Sequence, residues 1–164
     1  MPEVSKHKPG MFCWIELATT DPAGAKRFYS ELFGWAANDM PAGEGMTYTM
    51  LQLGGKDVGG LYRMQPEQEQ GGVPPHWFTY VAVGSADDAA KKAASLGATV
   101  IMPPFDVLDV GRMAALQDPT GAHFAVWEAR RHSGTGIVGE PGTHCWTELM
   151  TTDTRKAGEF YNKL

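Results

Sequence analysis

A chain of 164 residues with 43% hydrophobic and 20% charged side chains has the composition of a globular domain that folds around its own core without covalent staples. Fourteen basic against nineteen acidic residues leave a net charge of −5 and no stripe of Lys and Arg to meet a phosphate backbone, which argues against nucleic acid as a partner. No segment approaches the roughly 18 apolar residues of a membrane helix, and the opening "MPEVSKHKPG" lacks a signal-peptide core, so the expectation is a cytoplasmic protein with no membrane partner.

Residues 1–9 read as an N-terminal tail. In "MFCWIELATT" the alternate residues Cys13, Ile15 and Leu17 are apolar and share one face of a strand, while Trp14, Glu16 and Ala18 share the other. Asp21 then stands at a helix N-cap with Pro22 at the first helical position, and Ala25, Phe28, Tyr29 and Leu32 follow at helical spacing until Gly34 ends the run. Two strands come next, "GMTYTMLQLGG" and "KDVGGLYRM", meeting at the hairpin signal Gly54-Gly55.

After the linker "QPEQEQGGVPP" the pattern restarts. "HWFTYVAV" reads as a strand and "SADDAAKKAASLG" as a helix capped by Ser85 and stopped by Gly97. Three strands follow, "ATVIMPP", "RMAALQ" and "HFAVWEA", the last two joined by the turn "DPTG" from Asp118. From Gly10 to Arg130 the chain thus holds strand, helix and strands twice, with three strands identified after the second helix and two after the first, and reads as an α+β chain of paired βαβββ units.

The opening motif then recurs. "CWIELATTD" from Cys13 returns as "CWTELMTTD" from Cys145, and Pro141, Gly142, Ala157, Phe160, Tyr161 and Leu164 also repeat the residue 132 positions earlier. Identity this dense signals duplication. The expected organisation is a complete domain over 10–131, a linker over 132–141, and over 142–164 the first strand and partial helix of a second, truncated domain. That segment's apolar residues lack the remaining strands of their unit, so it should be poorly ordered, pack on the first domain, or be exchanged in a homodimer. Because the two cysteines occupy matching positions in the repeats, they are expected to pack rather than to pair.

The stretches "WIELATTDPAGAKRFYSELFGW" and "GRMAALQDPTGAHFAVWEAR" resemble the vicinal oxygen chelate superfamily, the glyoxalase, bleomycin-resistance and extradiol-dioxygenase group. Trp-x-Glu-Leu and Gly-Arg-Met followed by Asp-Pro-Thr-Gly are similar to its tandem-domain bacterial branch of glyoxalases or hydroxylases. The resemblance implies that the two units form a curled, mostly antiparallel sheet around a cleft, where catalytic members hold a divalent metal. Its ligand positions fall here on Trp14, Phe78, Ala125 and a residue near Gly60. Indole, phenyl and methyl groups offer no suitable lone pair, so no metal and no other cofactor is expected at those positions.

Glu16, His76 and His123 lie two residues from three of those positions with the same strand parity. A relocated metal site needs them to converge, yet Glu16 is displaced forward and His76 backward by about 7 Å along related strands. They remain candidates for catalytic acid or base work, against the alternative of polar sheet residues. Trp14, Phe78, Tyr80 and Trp127 could wall an aromatic ligand pocket or form plain core. Arg112 could bind an anionic ligand through its planar fork, oriented by Asp106 or Asp109, or stand in a structural ion pair. Three functions stay open: a small-molecule-binding protein with a metal-free cleft; a lyase, isomerase or hydroxylase acting on a small carbonyl compound, with or without a relocated divalent metal; and a purely structural or interaction module.

Overall fold

The computed structural model describes residues 3–43 and 45–164; Met1 and Pro2 of the expected tail, and Glu44, lie outside them. The chain forms two compact units. Unit 1 is Trp14–Phe78 with Gly134–Cys145 and an N-terminal piece ending at Ser5; unit 2 is Thr79–Ser133 with Lys6–Cys13 and Trp146–Leu164.

Unit 1 contains β1 (Phe12–Thr19), α1 (Pro22–Phe33), β2 (Ala36–Pro41), β3 (Thr47–Leu53), β4 (Lys56–Arg63) and a short α2 (Pro66–Gln70). Its strands lie in the order β2-β3-β4-β1, antiparallel except for β1 beside β4, where Glu16 is in register with Gly60. α1 starts where the sequence places it: the Asp21 carboxylate accepts from Gly24 N at 2.9 Å. A Cβ at Gly24 would lie 2.2 Å from that carboxylate, so the tight cap needs glycine there. Gly34 ends the helix at φ 72°, its N–H donating to Ser30 O. Leu17, Trp35, Leu51, Val58, Leu61 and Ile137 form the core, with Ala25 and Tyr29 of α1 packed against it.

Unit 2 repeats the plan with β5 (His76–Ala82), α3 (Ala86–Ser95), β6 (Thr99–Val107), β7 (Gly111–Gln117) and β8 (His123–Ala129). The strand order is β6-β7-β8-β5, with β5 parallel to β8. Ser85 caps α3 by accepting from Asp88 N, and the small side chains of Ala86, Ala90 and Ala93 let the helix lie close on Leu116, Phe124 and Val126. The "DPTG" turn is held by Asp118, which accepts from Thr120 N, Thr120 Oγ1 and Ala122 N at 2.7–3.0 Å. The α+β class and both βαβββ units read from the sequence are present.

Three local readings are corrected. β2 lacks any buried residue, so "AANDMP" carries no alternation; pairing with β3 alone makes it a strand. Pro66–Gln70, within the expected linker, forms a helical turn with Pro66 at its start. The second copy of the opening motif holds no strand over residues 144–151, because nothing beside it supplies the ladder that β4 gives β1. Its helix, α4 (Thr154–Lys163), does form, capped by Asp153 accepting from Lys156 N at 2.9 Å.

α4 packs on unit 2. Phe160 is 3% exposed, with its ring centroid 6.3 Å from that of Phe124, and the Tyr161 hydroxyl donates to Asp118 Oδ2 at 2.9 Å. Residues 134–145 pack on unit 1, where Gly136 N donates to Asp57 O and Trp35 Nε1 donates to Gly142 O. Both cysteines are free: Cys13 is buried, which pushes its thiol up to about 12, and Cys145 is exposed. Deleting the Phe160 ring leaves a cavity in the unit 2 core, so Phe160→Ala should lower stability by about 3 kcal/mol, read from the urea midpoint. An unchanged midpoint would show that α4 is not held by this contact.

Candidate functional site

The strongest polar constellation lies in unit 1, on the sheet face opposite α1. Leu17 points into the core beneath the helix, so its neighbour Glu16 points the other way, together with Trp14. Glu16 is only 8% exposed, and a buried carboxylate needs a donor. Tyr48 of β3 supplies it: its hydroxyl donates to Glu16 Oε2 at 2.8 Å and accepts from Trp14 Nε1 at 2.9 Å. Indole, phenol and carboxylate thus form one directed chain.

Gly60 makes room for it. A Cβ there would stand 1.9 Å from the Tyr48 hydroxyl, so only glycine admits the phenol at this point of β4. This also explains the residue at the fourth position implied by the family resemblance: the Tyr48 ring fills the space a ligating side chain would need. Burial, then the Glu16 charge, raises the Tyr48 hydroxyl well above the ordinary phenol range, and the same two causes raise Tyr62. Tyr48 therefore remains a proton donor toward Glu16 throughout the neutral range.

The other expected site residues fall into separate groups. His76 Nδ1 lies 2.8 Å from Pro74 O, and its ring stands perpendicular to Phe78 with centroids 6.3 Å apart. His123 is exposed at the start of β8, opposite Gln117. In unit 2, Tyr80 and Trp127 are buried edge-to-face at 6.2 Å; the Tyr80 hydroxyl faces Met113 Sδ and Trp127 Nε1 donates to His132 O. Their polar atoms are engaged within the unit.

Arg112 stands between two acidic partners. Nε and Nη2 donate to the two oxygens of Asp87 at 2.7 and 2.9 Å, Nη1 donates to Asp106 at 2.9 Å, and Nη2 also reaches Pro104 O. These partners engage Nε, Nη1 and Nη2 of the guanidinium. Arg130 shares Asp106, and Asp109 pairs instead with Arg131.

Trp14, Phe78, Ala125 and Gly60 do not fit a divalent cation, since none carries a donor of the required kind. Among the described residues no group of three or more His, Cys, Asp or Glu side chains comes together, so Glu16, His76 and His123 form no such set. A cavity of about 190 Å³ lined by Leu53, Lys56, Ile137 and Glu140 shares no residue with the Glu16 chain.

Sequence reasoning found Trp14 and Glu16 but missed Tyr48 and Tyr62. The available signal was the Gly54-Gly55 hairpin, from which counting outward brings the two tyrosines near one another. An irregularity at Leu51/Gln52 shifts that register, and only with it does Tyr48 pair with Tyr62.

Residues 12–126 match the sequence profile of the Glyoxalase/Bleomycin resistance protein/Dioxygenase superfamily, and the chain belongs to that family. It is 43% identical over 162 residues to "Putative glyoxylase CFP32" of Mycobacterium tuberculosis, covering 98% of this chain and 62% of that protein. It is 37% identical over 168 residues to "Anthracycline biosynthesis protein DauV" of Streptomyces sp. strain C5, covering 96% of this chain and 61% of that one. The chain therefore spans about three-fifths of the length of these curated relatives. Methylmalonyl-CoA epimerase from Mycobacterium tuberculosis shares the fold, with a TM-score of 0.53 at 15% identity over 73% of this chain and 87% of that one. Among the described residues no helix is long and apolar enough to cross a membrane.

Gly60→Ala should expel the Tyr48 phenol and lower stability by about 1–3 kcal/mol; adding Tyr48→Ala should recover part of that loss, and a double variant no better than the single would disprove the packing argument. Tyr48 also sets an alkaline limit. A phenol whose folded pKa lies above the unfolded value of about 10 contributes stability that is full below pH ~10 and is lost as pH rises beyond it. Denaturation at stepped alkaline pH should show this fall, and Tyr48→Phe should make it smaller, leaving the share of the other raised groups, Tyr62 and Cys13 among them.

Proposed function

We propose that this protein binds a small organic molecule without a metal, at the face of the unit 1 sheet that carries Trp14, Glu16, Tyr48 and Tyr62. The observation that carries the reading is the buried Glu16 carboxylate joined to a protonated Tyr48 hydroxyl. A carboxylate accepts from a ligand N–H or O–H, while the neighbouring aromatic rings supply apolar wall for a planar body. The residues at the family's ligand positions favour binding without a cation. Because one relative is named for anthracycline biosynthesis, planar aromatic carbonyl compounds are the first class to test.

A second reading is favoured by the same pair. A carboxylate that removes a proton beside a carbonyl, with a phenol able to donate to the developing oxyanion, is the equipment of a lyase or isomerase acting on a small carbonyl compound. Glu16 would be the base and Tyr48 the donor. His76 and His123 have no place in this step.

Chelator-treated protein should quench its tryptophan fluorescence on titration with a planar aromatic carbonyl compound. Glu16→Gln should weaken that binding about tenfold or more, as loss of a hydrogen bond to a charged group implies. Binding that vanishes on chelation and returns with one equivalent of a divalent cation would overturn the metal-free reading. Solvent deuterium entering the carbon beside the ligand carbonyl, and lost in Glu16→Gln, would establish the catalytic one.

A further inference from the structure

α1 and α4 are two copies of one helix that bury different amounts of the same stripe. Asp21 and Asp153 cap them alike, each accepting from a backbone N–H three residues on at 2.9 Å. Ala25, Phe28, Tyr29 and Leu32 recur as Ala157, Phe160, Tyr161 and Leu164. In unit 1, Ala25 and Tyr29 turn toward their own sheet, which leaves Phe28 at 57% and Leu32 at 56% exposure as a ridge four residues apart. Phe33, 41% exposed, extends the patch. In unit 2 the matching Phe160 is 3% exposed within the cluster of Leu116, Phe124 and Val126, and Leu164 packs on the same cluster.

The second unit of this fold is therefore a receptor for the stripe that α1 leaves in water. A contiguous apolar ridge of this kind marks an interaction surface. A second copy of this chain offers it no vacancy, because α4 already fills the receptor on unit 2. The relatives, however, are longer than this chain, which covers only 62% of one of them.

We propose that Phe28 and Leu32 dock on the second βαβββ unit of a further domain of this kind in the same polypeptide, so that two such domains exchange their first helices reciprocally. The receptor would present what unit 2 presents to α4: a large apolar side chain on the last strand, in the place of Phe124, above a helix faced with small residues such as Ala90 and Ala93. This inference is independent of the ligand reading.

The test places Phe28→Asp together with Leu32→Asp in two backgrounds, the 164-residue chain and the polypeptide extended through the further domain. In the short chain the substitutions fall on an exposed face and should leave the melting temperature unchanged. In the extended polypeptide they should lower it and speed amide exchange in α1 by about tenfold or more. Should the aspartates prevent the extended polypeptide from folding, Phe28→Ala with Leu32→Ala gives the same exchange readout. Equal α1 exchange with and without the substitutions in the extended polypeptide overturns the proposal. So does a short chain that sediments as a dimer and becomes monomeric on substitution, since a second copy would then be the occupant.

Discussion

Glu16 and Leu17 are neighbours in sequence and face opposite sides of β1, so a slip of one residue against β4 would exchange them. The carboxylate would enter the core beside Trp35 and Val58, at a cost of several kcal/mol for an unpaired buried charge, and Leu17 would lose its burial. What pins the register is a steric fit on the neighbouring strand: Glu16 stands opposite Gly60, where the missing side chain is replaced by the Tyr48 phenol. The chain from Trp14 through Tyr48 to Glu16, the orientation of α1 over the core and the character of the candidate site all follow from that alignment.

The two units follow the same plan but spend their polar residues differently. Unit 1 places a carboxylate, a phenol and an indole on one sheet face and leaves its long helix half in water. Unit 2 places its charges at the rim, where Arg112 joins Asp87 to Asp106, and covers its helix side with alanines and with α4. Exposed ion pairs of this kind add little stability each, though a bidentate Arg-carboxylate pair fixes geometry. The two units thus share a backbone plan and differ in their chemistry.

Much of this was legible in the chain because the signals are local. Asp21-Pro22 and Gly34 bracket α1, Ser85 and Gly97 bracket α3, and the alternation in "CWIELA" assigns Trp14 and Glu16 to one face. β2 was illegible because it buries nothing, so it has no hydrophobic period to detect. Tyr48 escaped for a different reason: its meeting with Glu16 depends on a strand irregularity and on an empty position in a third strand, neither of which composition records. Arg112 shows the converse limit. Its sequence context allows either an anion or an acidic partner, and the choice rests on Asp87, 25 residues away, arriving from the start of α3.

β2 and β6 lie at the ends of the strand orders of their units, and both carry proline: Pro41 closes β2, while Pro103 and Pro104 interrupt β6 where its pairing with β7 skips residues. A proline cannot donate to an incoming strand, and a bulged edge twists away from one. Lys26 and Asp39 add a paired charge to the β2 rim. The consequence concerns crowding rather than ligand. At high concentration these rims are poor templates for fibril growth, and chains that collide edge to edge should separate again instead of extending one another's sheets.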